Sequence, residues 1–302
     1  MNLIKRYRIE HDSDLIYAKR DLSNFLKKDK SKERFSLALM ELGTNLLKHA
    51  GEGEIWLLQN EHWLLAALDR GPGIEDIEWA KQRGTSSYPG SLGVGLSQLD
   101  SDEEYRLEIF SKVGLGTVVL FHKERAKELF FSIPLVDNFN GDFFIKKGRY
   151  YLFGDAAGHG IKASKSAKFI QEFFLSHSFS CLFVDDFFKT LDSAIKKENL
   201  RGAVLSIVEV TKKYIYICGV GDIEFFANKE RHSFKEGIVG VAFSRSEQYR
   251  FERPVNFCMK SDGIDTDFEL YEDIADPFLC ALVAVFYSTI NDDRSIFIIK
   301  DI

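Results

Sequence analysis

The stretch YLFGDAAGHG, residues 151–160, joins an apolar segment to a glycine-rich turn that opens with a carboxylate, Asp155. Glycine-rich turns after a strand usually bind phosphate through backbone N–H groups. An aspartate at the head of the turn would repel phosphate and attract a metal ion. The turn alone leaves both ligands open, so other residues of the chain must decide between them.

Further carboxylates stand where strands are predicted to begin or end. Asp142 precedes a strand in NGDFFIKKGRYY, and Asp262 follows one in VNFCMKSDGI. In INDDRSIFIIK, Asp292 and Asp293 precede another strand. Asp142 and Asp155 bracket a predicted hairpin, so they could meet at one end of a sheet. Any one of these residues is most often a turn former, but together they predict a cluster of carboxylates.

The segment FSLALMELGTNLLKHAG is predicted to be a helix that stops at Gly51, because its apolar residues recur every three or four positions. The same spacing places Glu41, Asn45 and His49 in one slightly drifting stripe. A polar stripe usually faces solvent. It could instead line a binding site, provided that other elements complete that site.

Three glycine-containing segments follow this helix, namely WLLAALDRGPGI, GSLGVGL and VGLGT. The residues of interest in them are Asp69, Gly71, Gly73, Gly90, Gly93, Gly95 and Thr117. A single G-x-G is weak support for a nucleotide site, because glycines also serve turns. Four elements in this order are a much more specific pattern.

The pattern resembles the N, G1, G2 and final G-x-G-T boxes of GHKL-type ATPases, in the short form of the RsbW/RsbT-type anti-sigma-factor serine kinases. The resemblance implies an ATP site in which Asp69 accepts the adenine amino group and Asn45 holds Mg²⁺ on the phosphates. The backbone of Gly93 and Gly95 would lie along the phosphate chain, and Glu41 would be the catalytic base. A Ser or Thr of a STAS-domain antagonist is the implied target.

The downstream carboxylates resemble the acidic framework of the metal-dependent PPM phosphatases, in their SpoIIE/RsbX branch. The matching motifs are GD, DxxGHG, GVGD, SDG and DDxS. By this resemblance Asp155 bridges two Mn²⁺ or Mg²⁺ ions and the Ala156 carbonyl adds a ligand. Asp142 serves one metal, and Asp262 with Asp292 the other. Oxygen ligands suit such hard cations, and activated water would hydrolyse a phosphoserine or phosphothreonine.

Three residues of this framework depart from the family pattern or allow two roles. Ala156 replaces the glycine that usually follows the bridging aspartate, which could strain the turn. Asp293 is an alternative to Asp292 as a ligand. His159 could act as a general acid, but we expect it to pack the loop.

Together these features predict an α+β chain with two domains. The two resemblances imply a GHKL α/β sandwich over 1–123 and a PPM-like α-β-β-α sandwich over 129–302, with the boundary at the charged stretch HKERAKEL. Residues 203–220 are predicted to form a hairpin around Thr211–Lys213. PFLCALVAVFY is predicted to be a helix with Asp276 as its N-cap.

Composition excludes several function classes. The formal net charge of −6 disfavours nucleic acid as a partner. No segment reads as a signal peptide or a bilayer span, so we expect a cytoplasmic protein without membrane partners. The cysteines form no C-x-x-C pair and are expected to be buried thiols; they are Cys181, Cys218, Cys258 and Cys280.

The resulting hypothesis is a bifunctional regulator of a partner-switching pathway, with a serine kinase and a phosphoprotein phosphatase on one chain. Its partners would be a STAS-domain antagonist or another phosphoprotein, and a sigma factor, a signalling complex or a homodimer is compatible with the pattern. Two alternatives stay open. The N-terminal half could sense ATP without transferring phosphate, or it could sequester a binding partner.

Overall fold

The computed structural model describes residues 1–82, 95–136, 139–179 and 184–301. The chain divides into two compact units, Met1–Ala126 and Lys127–Ile302. Each unit combines helices with antiparallel sheets.

The first unit contains one five-stranded antiparallel sheet. Its strands are β1 (Asn2–Ile9), β2 (Gly53–Gln59), β3 (Trp63–Leu68), β4 (Arg106–Lys112) and β5 (Gly116–His122). They lie in the order β1-β2-β3-β5-β4. The helices are α1 (Asp12–Phe25), α2 (Lys32–Asn45), α3 (Ile77–Lys81) and α4 (Gly95–Asp100).

The core of this unit lies between one face of the sheet and helices α1 and α2. Leu22 of α1 and Phe35 of α2 are fully buried in the same cluster as Ile55, Leu65 and Phe121 of the sheet. Alternate residues of a strand lie on the same face of the sheet, so every second apolar residue of these strands packs against the helices. The first unit is therefore an α/β sandwich of two layers.

The predicted helix over residues 35–51 is confirmed, with one local difference. Helix α2 gives way at Leu46 to a π-helical turn, Leu46–Ala50, and Gly51 ends it with a φ of +84°. Such π-turns are often found at functional sites.

The second unit contains two five-stranded sheets. Its strands are β6 (Glu128–Ile133), β7 (Asp142–Lys147), β8 (Tyr150–Ala156), β9 (Ala203–Val210), β10 (Tyr214–Val220), β11 (Glu224–Ala227), β12 (Glu230–Ser233), β13 (Glu247–Glu252), β14 (Asn256–Lys260) and β15 (Arg294–Lys300). The sheet orders are β13-β10-β9-β8-β7 and β12-β11-β14-β15-β6. The helices are α5 (Ile161–Ser176), α6 (Val184–Lys197) and α7 (Pro277–Phe286), with a 3-10 turn at Phe268–Leu270.

These elements stack in four layers. Helices α5 and α6 cover one face of the first sheet, where Leu152 packs with Ile170 and Leu191. The opposite face carries Phe153, which packs with Phe297 of the second sheet. Helix α7 contacts β15 and β6 of that second sheet. The predicted helix–sheet–sheet–helix order is thus confirmed for this unit.

Several local predictions in this unit are also confirmed. Strands β9 and β10 form the expected hairpin. The Asp276 carboxylate accepts hydrogen bonds from the backbone N–H groups of Phe278 and Leu279, and Pro277 is the first helical residue. The three cysteines within the described residues are buried free thiols, while Cys181 lies outside them. Among the described residues, no helix has both the length and the apolar character needed to cross a bilayer.

Candidate active sites

The two aspartates of the predicted hairpin face each other directly. Strands β7 and β8 are joined at Gly148, and in their antiparallel register Asp142 lies opposite Asp155. Side chains of opposite residues start about 5 Å apart on the same face of a sheet. Two like charges at this spacing destabilise the pair unless a cation or a proton separates them.

The carboxylate of Asp142 is the most constrained group of the site. The residue is 5% exposed, and neither side-chain oxygen has a hydrogen-bond partner among the described residues. The hydroxyls of Ser295 and Ser261 partly offset the rise of the Asp142 pKa, but Ser295 Oγ donates to Ser132 Oγ and Ser261 Oγ donates to the Asp293 carbonyl. A buried carboxylate without a partner is costly, so this position calls for a cation.

The charges of the remaining predicted carboxylates influence the pKa of Asp155. Burial is the main cause that raises the pKa of Asp155 to about 9, followed by the negative charges of Asp142, Asp262, Asp292 and Asp293. Burial likewise raises the pKa of Asp142 to about 7. The charges of four further aspartates therefore act on Asp155, and these five residues are called the acidic cluster below.

The second sheet positions its share of these carboxylates through strand pairing. Strand β14 ends at Lys260 and is followed by Asp262, while β15 begins at Arg294. Lys260 pairs with Ile296, so the end of β14 and the start of β15 lie side by side. Burial raises the pKa of Asp262, and the charges of Asp292 and of Asp222, from the GVGD turn, add to this effect.

Asp292 and Asp293 differ sharply in their surroundings. Asp293 is buried, and its two carboxylate oxygens accept hydrogen bonds from the backbone N–H groups of Leu135 and Gly141, each at 2.6 Å. Asp292 is half-buried and uses Oδ1 to accept a hydrogen bond from the Asp293 N–H at 2.8 Å. Asp293 therefore ties two loops together, and Asp292 is the better placed of the two for a ligand.

The glycine-rich turn differs from expectation at two positions. Ala156 ends strand β8 and does not adopt a left-handed conformation, so the expected strain there is absent; Gly158 and Gly160 take the positive φ angles, +77° and +75°. His159 is exposed, contrary to the expected packing role. A Cβ on Gly141 would lie 3.2 Å from the Ala156 carbonyl oxygen, which is a tight contact.

A separate cavity of about 530 Å³ occupies the first unit. It is lined by most of the residues predicted for the nucleotide site: Glu41, Asn45, His49, Asp69, Gly73, Gly95 and Thr117. Gly71 is not part of the lining, but its N–H donates to Asp69 Oδ1 at 2.8 Å. Gly90 and Gly93 lie outside the described residues. The volume is typical of small-molecule sites.

Asp69 is fixed at the end of β3 by three backbone hydrogen bonds. Its N–H donates to the Thr117 carbonyl at 2.9 Å, and its Oδ1 accepts from the N–H groups of Gly71 and Thr117. Burial raises the pKa of Asp69, while these donors and the charge of His49 oppose the rise. Gly116, with a φ of +130°, permits the close approach, because a Cβ there would overlap the Asp69 carbonyl oxygen.

Glu41 and Gly95 meet inside the cavity. A Cβ on Gly95 would overlap Glu41 Oε2, so a larger residue at the start of α4 would displace this carboxylate. Gly73 permits a close approach of main chain, because a Cβ there would overlap the Lys112 carbonyl oxygen.

Sequence reasoning missed several residues at both sites. Lys48 and Trp79 line the cavity of the first unit, but neither stands in a glycine-rich box. In the second unit Arg201 donates from Nη1 to the carbonyl of Ala157 at 2.9 Å. Arg201 precedes a strand without any motif, and only the fold brings it to the turn.

Comparison with known proteins shows the fold of the second unit. No family model matches the chain, and no curated protein matches it. A bacterial serine phosphatase of known structure is similar to 59% of this chain and 98% of its own, with 11% identity and a TM-score of 0.50. PppA, a regulatory component of the type VI secretion system (T6SS) in Pseudomonas aeruginosa, is similar to 58% of this chain and 97% of its own, with 12% identity and a TM-score of 0.50.

RsbX in complex with magnesium is similar over 58% of this chain and 96% of its own, with 17% identity and a TM-score of 0.49. The share of this chain that PppA covers, 58%, equals the share of the chain in the unit Lys127–Ile302. At these identities the likeness concerns the fold alone. About 58% of the chain therefore has the fold shared by these solved structures, among them a bacterial serine phosphatase.

Proposed function

We propose that the second unit is a metal-dependent phosphoserine and phosphothreonine phosphatase. The observation that carries the proposal is the carboxylate of Asp142, buried without a hydrogen-bond partner among the described residues and directly opposite Asp155. The similarity to a serine phosphatase fold supports the same class of reaction.

The residues of the cluster fit two Mn²⁺ or Mg²⁺ ions. All of the donors are oxygens, which is the ligand set that hard divalent cations prefer. Asp155 would be shared by the two ions, with Asp142 on one side and Asp262 with Asp292 on the other. The Ala156 carbonyl would be a further ligand. When bound, the ions supply Lewis acidity and lower the pKa of water.

The chain itself supplies positioning. Strand pairing holds Asp142 and Asp155 on one rigid hairpin, while Asp293 fastens the segments of Leu135 and Gly141 beneath the cluster. Fixed ligands of this kind avoid the entropy loss that flexible groups would suffer on binding substrate.

We also propose that the first unit binds ATP with Mg²⁺ and transfers phosphate to a protein serine or threonine, as GHKL-type kinases do. The cavity supports this function, because Glu41, Asn45 and Asp69 line it together. Phosphoryl transfer needs mainly positioning and charge neutralisation. Glu41 would accept the proton of the attacking hydroxyl, and Asn45 would help to hold Mg²⁺.

A STAS-domain antagonist is the proposed common substrate, with a sigma factor or a signalling complex downstream. Kinase and phosphatase acting on one protein would form a switch whose balance depends on ligands or partners. The alternatives are an ATP sensor that controls the phosphatase, and a unit that sequesters its partner without catalysis.

The deciding experiment uses the full chain, terminally labelled ATP and purified STAS proteins. The Asp155→Asn chain, whose metal site is disabled, should label the substrate with ATP and Mg²⁺, and the unaltered chain with Mn²⁺ should then release the label. Glu41→Ala should bind ATP but transfer no label, because a catalytic base acts mainly in the transition state. ATP binding without transfer in the unaltered chain would favour the sensor, and retention of label on a pre-phosphorylated substrate would contradict the phosphatase.

A further inference from the structure

Arg201 approaches the glycine-rich turn from the segment that precedes strand β9. It lies between helix α6 and strand β9, whose residue Ala203 pairs with Ala156. The segment is fastened to the turn through its main chain, because the Ala157 N–H donates to the Gly202 carbonyl at 2.9 Å. The Arg201 N–H donates to Ser166 Oγ of α5 at 3.0 Å. The position of Arg201 is therefore set by backbone contacts.

The guanidinium group lies directly on the turn. Its Nη1 donates to the Ala157 carbonyl at 2.9 Å, two residues beyond Asp155. A Cβ on Gly158 would overlap Nη1, and Gly158 also has a φ of +77°. Glycine at this position thus serves both the turn conformation and the contact with Arg201.

Most of the donors of this guanidinium are still available. Arg201 is exposed, and among the described residues its side chain makes one hydrogen bond, from Nη1, and no ion pair. A guanidinium has five N–H donors in a planar fork, which matches the oxygens of a phosphate group. Among the described residues Arg201 forms no ion pair with the aspartates of the cluster. Its charge is therefore not used to neutralise them.

We propose that Arg201 binds the phosphoryl oxygens of the phosphoserine or phosphothreonine substrate at the rim of the acidic cluster. The inference rests on the proposed phosphatase function and adds a substrate-binding residue to it. The hydrogen bond to Ala157 orients the guanidinium, and its remaining N–H groups bind the phosphate.

A purely structural role is the competing explanation. In that case Arg201 would hold the turn and, through it, the metal ligands. The main-chain bonds of Ala157 and Arg201 do not involve the Arg201 side chain, so they should persist when that side chain is removed. A substitution at Arg201 should therefore separate phosphate binding from metal binding.

The test uses the full chain loaded with Mn²⁺ and compares Arg201→Ala and Arg201→Lys with Arg250→Ala. Arg250 is an exposed arginine on the edge strand β13, where its guanidinium lies over the ring of Tyr214. Three quantities are measured: the KM for a phosphoserine protein, the inhibition constant of inorganic phosphate, and the Mn²⁺ affinity by calorimetry.

For Arg201→Ala we expect the KM and the inhibition constant of phosphate to rise about ten- to a hundredfold, the usual range for a charged hydrogen bond. Arg201→Lys should retain part of the phosphate affinity, because it keeps the charge but loses the fork. The Mn²⁺ affinity should stay within about twofold in both variants, and Arg250→Ala should match the unaltered chain.

Two results would overturn the inference: unchanged phosphate inhibition in Arg201→Ala, or a parallel loss of Mn²⁺ affinity. If Arg201→Ala does not fold, Arg201→Lys decides by the same criteria. An unaltered chain that hydrolyses no phosphoprotein would contradict the proposed function. Direct phosphate binding to the Mn²⁺-loaded chain, weakened by Arg201→Ala, would then still support the assignment of Arg201.

Discussion

Asp142 and Asp155 occupy directly opposite positions on strands β7 and β8, within a cluster of five carboxylates. The register of the β7–β8 hairpin fixes this pairing. Without a cation this arrangement opposes folding, because like charges at neighbouring positions repel each other. With a cation shared between them, the same geometry becomes a preorganised ligand pair.

Asp155→Asn is expected to abolish Mn²⁺ binding and phosphatase activity while it leaves the fold intact. The amide keeps the shape of the side chain but removes one of the charges on which the cations depend, so the Mn²⁺ affinity should fall on the order of a hundredfold or more. Thermal unfolding gives a second readout. Mn²⁺ at a hundred times its Kd should stabilise the unaltered chain by about 2.7 kcal/mol and the variant hardly at all.

Asp186→Asn on helix α6 is a suitable control for this prediction, because Asp186 is exposed and is not among the charges that raise the pKa of Asp155. ATP binding should be unchanged in both variants. Normal Mn²⁺ binding in a folded Asp155→Asn chain would exclude Asp155 as a metal ligand.

Substitutions of Asp292 and of Asp293 should affect different properties, Mn²⁺ affinity in the first case and stability in the second. In Asp293→Asn one of the two backbone N–H groups, of Leu135 or of Gly141, faces an amide donor instead of an acceptor. The cost should be about 1–3 kcal/mol of unfolding free energy. Asp292→Asn keeps an acceptor for the Asp293 N–H, so it should lose Mn²⁺ affinity with little change in stability.

Urea unfolding of the metal-free chain and Mn²⁺ calorimetry on both variants measure these effects. The two substitutions serve as controls for each other. If Asp293→Asn retained full stability and lost Mn²⁺ binding, the ligand would be Asp293.

The acidic cluster was largely predictable because local rules position its parts. Asp142 and Asp155 bracket a hairpin whose register follows from its turn, and Asp262 and Asp292 stand at strand ends. The role of Asp293 was not predictable, since its partners Leu135 and Gly141 are 158 and 152 residues away in the chain. Such contacts depend on how two sheets stack, which no local pattern specifies.

The cavity of the first unit shows the same division. The helical spacing of Glu41, Asn45 and His49 was visible in the sequence, and all three line the cavity. The π-helical turn from Leu46 to Ala50 was not predicted, because the choice between α- and π-type bonding depends on tertiary packing rather than on residue spacing. Arg201 was missed for a related reason, as its partner turn lies more than forty residues upstream.

Asp69→Asn should weaken ATP binding about ten- to a hundredfold, equivalent to about 1–3 kcal/mol. The amide can still accept hydrogen bonds from Gly71 and Thr117, so the turn should persist, but it presents a donor where the adenine amino group needs an acceptor. Calorimetry with ATP and Mg²⁺ measures the effect. Asp12→Asn, at an exposed position of α1, is the control, and equal ATP affinity in the two variants would remove Asp69 from the adenine site.

We expect Asp265 to make a pH-dependent contribution to the stability of the second unit. Burial alone would raise the pKa of its carboxyl group, but hydrogen bonds from the Thr289 side chain and N–H and from the Ser288 hydroxyl outweigh it and lower the pKa to about 2. These donors tie the segment after β14 to the end of α7, with the Thr289 N–H at 2.7 Å and the Ser288 Oγ at 2.8 Å.

A carboxyl group whose pKa is lower in the folded chain stabilises the fold above its unfolded pKa, near 4, and this contribution is lost as the pH falls towards 2. Because Asp265 is exposed, solvent screening limits the effect to about 1 kcal/mol. Asp265→Asn should therefore lower the unfolding free energy at pH 7, and the difference from the unaltered chain should shrink steadily below pH 4. Urea unfolding followed by far-UV circular dichroism measures this difference.

The three tryptophans, Trp56, Trp63 and Trp79, all belong to the first unit, so their fluorescence transition should be the same in both proteins. A stability difference that is constant from pH 7 to pH 2.5 would show that the Asp265 charge does not matter, and that the hydrogen bonds act as neutral ones.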